Sequence, residues 1–142
     1  MNETLIVRFH ASLLDILNGV LEMRAKDKTF ELLAPSETLA LEIIGKHKSL
    51  AMSELARLAG TAANTMTGIV DRLVHRHIAR RTTSPADRRV VLVELTENGL
   101  KLFAQHQQFT KRIIAGLLKT LAPEEQQSFV EMFERITAPL KS

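Results

Sequence analysis

Between Ile78 and Leu95 the apolar period of this chain changes from 3.6 residues to 2, and past Leu95 it changes back. A segment whose side chains alternate cannot sit on a helix, so two strands must interrupt an otherwise helical chain. Ile78 to Thr83 and Val90 to Leu95 read as those strands, the second rich in Val. Between them Ser84-Pro85-Ala86-Asp87-Arg88-Arg89 is turn-like and basic. A two-stranded hairpin does not hold on its own in water, so helices must cover it.

Upstream, residues 5–27 read as a long helix with Leu5, Phe9, Leu13, Ile16, Leu17 and Val20 at helical spacing. Ile6, Val7, Leu14, Leu21 and Met23 widen that surface beyond one stripe, so more than one side needs cover. In a chain of 142 residues a second copy is the natural cover. Pro35 opens a second helix, about 35–46, with Leu39, Ala40, Ile43 and Ile44 as its inner face. A short helix at 52–59 places Leu55, Ala56 and Ala59 inward, and Gly60 ends it as a left-handed cap would. The next helix, 62–76, buries Met66, Ile69, Val70 and Leu73, spaced i, i+3, i+4, i+7. After the hairpin Thr96 reads as an N-cap for a helix over 97–119. Pro123 opens a last helix, 123–138, with Phe129, Met132, Phe133 and Ile136 inward. The whole of 1–142 reads as one domain, with 1–30 and 97–142 as a helical dimerisation region and 35–96 as a separate lobe.

Charge marks out that lobe. Between Ser53 and Glu94 stand seven arginines, no lysine and four carboxylates, an excess equal to the net charge of the chain, +3. Elsewhere Lys outnumbers Arg. The planar guanidinium fork matches phosphate oxygens and guanine edges. The six aromatic residues are all Phe, too few for a base-stacking platform. There is no cysteine, which removes disulfides, thiolate metal sites and thiol redox chemistry. His10, His47, His75, His77 and His106 form no ligand set at metal-binding spacing, and no nucleophile elbow, phosphate loop or dinucleotide glycine motif occurs. We therefore expect neither an enzyme nor a metal or cofactor. No run of 18 apolar residues and no basic-then-apolar leader is present, so a cytoplasmic protein with no membrane partner is expected.

Two short helices joined by a tight turn, followed by a basic-tipped hairpin, form the winged helix-turn-helix layout: mainly α, with a small β-hairpin wing and a helical dimerisation region. Its second short helix fits a DNA major groove. Opposite the buried face of that helix stand Asn64, Thr65, Thr67, Gly68, Asp71 and Arg72, small or polar as a groove-reading surface must be. Asn pairs with adenine, and Thr meets a phosphate or a thymine methyl. Arg88 or Arg89 at the hairpin tip can enter a narrow minor groove.

The segment LARLAGTAANTMTGIVDRLVHRHIARR (55–81) followed by SPADRRVVLVELTENG (84–99) resembles the MarR family of transcriptional regulators. The likeness is carried by Val70-Asp71-Arg72-Leu73, by Asp87-Arg88-Arg89, and by Leu95-Thr96 with Gly99. The flanks APSETLALEII (34–44) and LAPEEQQSF (121–129) resemble the second and last helices of that family. The resemblance implies a homodimer on a pseudo-palindromic double-stranded operator, commonly a repressor released by a small aromatic or anionic effector. It places Thr61, Asn64, Thr65 and Thr67 at the major groove and Arg89 in the minor groove, oriented by Asp87, with Arg88 beside it. Arg72 and Arg76 meet phosphates or hold the helix. Arg8, His10 and Arg24, which interrupt an apolar helix, are the candidate anion partners of an effector. The alternative is a DNA-binding dimer without effector, controlled by abundance or by a protein partner.

The chain departs from the family pattern at Ala34, Ala51, Ala62 and Ala122, helix starts where Ser or Thr is usual, and at Ala63. His77 stands where Gly is common and must tolerate a left-handed or altered turn. Thr61 is the competing cap for the recognition helix, one residue before Ala62.

Overall fold

The structure is a computed structural model that describes residues 1–28 and 33–141. The end of the first dimerisation segment, residues 29 and 30, lies outside the described residues. Six α-helices and three strands follow in the order α1 (Glu3–Lys26), α2 (Pro35–His47), β1 (Ser49–Ala51), α3 (Met52–Ala59), α4 (Ala63–His75), β2 (Ala79–Thr83), β3 (Val91–Leu95), α5 (Glu97–Leu118) and α6 (Pro123–Thr137). A 3₁₀ turn, Ala138–Lys141, follows. The chain divides into two compact units, Met1–Gln105 and His106–Ser142, with the division inside α5.

The core of the first unit sits among α2, α3, α4 and the sheet. Leu41, Ile44, Leu55, Met66, Val70, Leu73 and Val93 are fully buried there. Met66, Ile69, Val70 and Leu73 form the inner face of α4, as their spacing predicts. On α2 the expected face is corrected by one step. Leu41 is buried and Leu39 is 46% exposed. Two residues on a helix lie about 200° apart, so only one of the two can face the core. The buried stripe runs through Glu37, Thr38, Ala40, Leu41 and Ile44.

The sheet has the order β1-β3-β2, all antiparallel. The hairpin pairs Ala79 with Leu95 through Thr83 with Val91. β1 is a third strand that periodicity does not predict; three residues are too few to show a period. It pairs Leu50 with Val93 and ties the start of α3 to the wing.

Local chemistry sets the helix ends. Gly60 takes φ 64 as the C-cap of α3. His77 takes φ 58, the left-handed turn expected of it. The Thr96 hydroxyl accepts from the Gly99 N–H at 3.1 Å and donates to the His77 carbonyl at 2.5 Å, so it does cap α5. Ala34, Ala51, Ala62 and Ala122 are all N-cap residues with extended backbone and no side-chain acceptor. At α6 the Glu125 carboxylate accepts from the Ala122 N–H at 2.8 Å, half of a capping box.

No residue of α1 is buried in the single chain, and Leu5, Ile6, Val7, Phe9, Ile16, Leu17 and Met23 are all about half exposed. By length and mean hydropathy, 1.4 over its most apolar stretch, α1 is long and apolar enough to cross a membrane. Arg8 and Asp15 lie inside it, and a charge at the centre of a bilayer costs about 2.5–3.5 kcal/mol. A protein partner covers the same face without that cost. In the second unit Phe129, Met132, Phe133 and Ile136, expected inward, are 45% to 58% exposed. Their spacing is that of one helical face, which the described residues leave uncovered. Phe129 and Phe133 stack with ring centroids 6.0 Å apart.

Candidate nucleic-acid interface

The recognition surface is built on α4. Asn64, Thr65 and Thr67 are exposed on the side away from the core. The Asn64 Oδ1 accepts from the Thr65 N–H at 2.9 Å, and the Thr67 hydroxyl donates to the Ala63 carbonyl at 3.0 Å. Both side chains are therefore held close to the first turn of the helix. Ala62 is the N-cap, which settles the register, and Thr61 is not the cap. The Thr61 Oγ1 is buried and has no hydrogen-bond partner.

Ala62→Ser supplies an acceptor to an orphan N–H at the start of α4 and stabilises the protein by about 0.5–2 kcal/mol in denaturant melts. Thr61→Ala removes no cap and leaves the midpoint within about 0.5 kcal/mol of wild type. The opposite ranking would place the cap at Thr61.

The wing tip is ordered by one carboxylate. The Arg89 backbone N–H donates to Asp87 Oδ1 at 3.0 Å, and its Nε and Nη2 reach Asp87 Oδ1 and Oδ2 at 3.2 and 3.4 Å. The backbone and side-chain bonds from Arg89 hold the Asp87 carboxyl below its ordinary range. The Ser84 N–H to the Val90 carbonyl, at 3.0 Å, closes the turn. Arg89 keeps 91% of its side-chain surface exposed. Arg88 is exposed beside it.

Four ion pairs that the sequence does not announce join these parts. Glu37, 5% exposed, accepts from Arg72 Nε and Arg76 Nη1, each at 3.0 Å. Arg81 on β2 donates to Asp71 at 2.5 Å and to the Thr67 carbonyl at 3.4 Å, bracing α4 against the wing. Arg80 pairs with Glu94 across the hairpin at 2.8 Å. The i,i+4 spacing of Arg72 and Arg76 was the one visible signal, since it puts both on one side of α4. Their partner lies 35 and 39 residues away.

Of the candidate effector residues, Arg8 and His10 are exposed on α1. Arg24 is occupied structurally. Its Nη2 donates to the Leu33 carbonyl at 2.6 Å and to the Thr38 hydroxyl, joining the end of α1 to α2. Burial lowers its pKa, and the nearby Glu37 charge opposes that shift. A cavity of about 290 Å³ offers another setting. Leu33, Ile78 and Leu102 line it on the apolar side and Arg76, Asn98 and Lys101 on the polar side.

A helix pair with an exposed polar second helix, followed by an arginine-tipped hairpin in a three-stranded sheet, defines a winged helix-turn-helix protein. Residues 33–91 match the MarR family. It is 31% identical over 102 residues to the uncharacterized HTH-type transcriptional regulator YfiV of Bacillus subtilis, covering 72% of this chain and 64% of that one. It is 33% identical over 91 residues to the transcriptional repressor MdtR of the same organism, covering 64% and 59%. This chain thus spans somewhat under two thirds of the length of either relative. Both are described as regulators and neither as an enzyme. Among solved structures, the fold is similar to Streptococcus pneumoniae FabT in complex with DNA, with a TM-score of 0.85, 22% identity and coverage of 96% and 97%. It is also similar to Bordetella bronchiseptica BpsR, whose DNA binding is regulated by 6-hydroxynicotinic acid, with a TM-score of 0.70, 20% identity and coverage of 95% and 99%.

Proposed function

We propose that the chain is a sequence-specific regulator of transcription that binds double-stranded DNA as a homodimer in the cytoplasm. The observation that carries this reading is the pairing of an exposed Asn64-Thr65-Thr67 surface on α4 with an exposed Arg89 held by Asp87 at the wing tip. One element is sized for the major groove and the other for the minor groove. Thr61, half-buried two residues before α4, stands at the N-terminal edge of that surface. The half-exposed apolar faces of α1 and α6 support the dimer, because a soluble chain does not leave such surface to water. A dimer on a promoter-proximal site blocks transcription by occupying it, so we assign repression, as in MdtR. Selection from random duplexes tests the reading. The enriched site is two-fold symmetric with half-sites about 10 base pairs apart, and sedimentation at micromolar concentration gives about twice 15.9 kDa. A monomer, or a pool without enrichment, rejects it.

Release by an effector is the finer part of the proposal. The cavity beside Arg76 and Lys101 combines an apolar wall with cationic groups, suited to a small aromatic acid. The regulation of BpsR by 6-hydroxynicotinic acid supports that chemical class. Arg8 and His10 are the second choice of anion partner. An aromatic carboxylate that raises the melting temperature and weakens operator binding does neither in Lys101→Ala. If no such acid does either to wild type, the dimer is controlled without an effector, by abundance or by a protein partner.

A further inference from the structure

We infer that Glu37, a residue that cannot itself reach DNA, is a positioning residue that aims Arg72 at the nucleic acid. The inference rests on the DNA-binding reading above and adds to it a residue on a different helix. Glu37 stands in the first turn of α2 and is 5% exposed, a position where an acidic residue ordinarily serves the helix dipole in water. Here it is buried against α4 and takes one arginine on each oxygen, Arg72 Nε on Oε1 and Arg76 Nη1 on Oε2, both at 3.0 Å. The two arginines differ in what is left over. Arg76 keeps 27% of its side-chain surface and Arg72 keeps 54%.

Arg72 is bound through Nε, so its outer edge is turned away from the carboxylate. Its Nη1 lies 3.9 Å from the place a Cβ on Gly68 would take. Gly68 is one turn toward the N-terminal, exposed end of α4, between Thr67 and Ile69. The guanidinium therefore lies back along the helix over Gly68, on the side of Asn64, Thr65 and Thr67. A guanidinium anchored at Nε loses little further freedom when a phosphate meets its outer edge.

Charge and positioning make opposite predictions for Glu37→Gln. Removing a negative charge near a polyanion tightens binding if bulk electrostatics is all that Glu37 contributes. If Glu37 aims Arg72, the neutral isostere weakens operator binding about tenfold and makes the dependence of log K on log salt shallower by about one unit. In an Arg72→Ala background Glu37→Gln then has no further effect. Affinity is measured on the dimer below its melting temperature. If Glu37→Gln does not stay folded, Arg72→Lys on the half-exposed partner replaces it. That change keeps the charge, removes Nε, and lowers affinity about tenfold. Equal or tighter binding by Glu37→Gln, or a loss that leaves the salt slope unchanged and adds to Arg72→Ala, overturns the inference while the regulator reading stands. Failure of wild type to bind any duplex overturns both.

Discussion

Gly99→Ala is expected to destabilise the protein by about 3 kcal/mol, the upper part of the range for forcing atoms into a packed site. A Cβ at Gly99 would lie 2.0 Å from the Ile78 carbonyl oxygen and 3.0 Å from its carbon. Both are backbone atoms, and that carbonyl is fixed because it accepts the Thr96 N–H at 3.0 Å. Neither side can yield without breaking the junction between the end of α4 and the start of α5. Gly45 makes the useful contrast. A Cβ there meets the Phe103 ring at 2.5 Å, a side chain that can swing about χ1 where a backbone carbonyl cannot, so Gly45→Ala costs less. Denaturant melts of the two variants check the order. If Gly99→Ala unfolds at the wild-type midpoint, the close approach is not a constraint in solution. The same junction explains the spacing of Leu95-Thr96 and Gly99. Thr96 caps the helix, and three residues later the chain must pass against a carbonyl where only glycine fits.

Arg89→Ala is expected to weaken operator binding by about 1–3 kcal/mol, or roughly fivefold to 150-fold. Arg89 is nearly fully exposed, so folding does not need it and the variant should melt with wild type. Asp87 holds the guanidinium in one arrangement before DNA arrives, which lowers the ordering cost at the wing tip. Arg88→Ala, which removes a neighbouring charge, should cost less and lose its effect at higher salt. Equal losses for the two arginines would assign the wing a general electrostatic role in place of minor-groove insertion. The Asp87 pair also has a pH signature. Its carboxyl is depressed in the folded state, so its contribution is complete above the ordinary Asp value and is lost as pH falls through the depressed one. Wing-dependent affinity should therefore be flat through the neutral range.

Much of this protein is local, and what is local was legible from the chain. The inner face of α4, the cap at Thr96 and the left-handed end at Gly60 each depend on residues within a few positions of one another, and the hairpin at 79–95 joins neighbouring segments across one short turn. Apolar period and turn chemistry report such features directly. The pairing of Arg89 with Asp87 is also local and was expected. The four alanine starts were visible as well, but whether α4 begins at Thr61 or Ala62 was decided by the backbone.

Tertiary placement decided the rest. Both Leu39 and Leu41 are apolar, and only the seating of α2 against its neighbours selects Leu41 for the core. A glutamate in a first turn reads as solvent-facing until α4 brings two guanidiniums to it, after which burial is affordable because the charge is paired. Arg24 interrupts an apolar helix and so resembled a ligand partner, but in the fold it holds the Leu33 carbonyl and Thr38. Contacts between residues tens of positions apart leave no period in the chain. They exist only once the helices are docked, and so the network behind the recognition helix had to come from the structure.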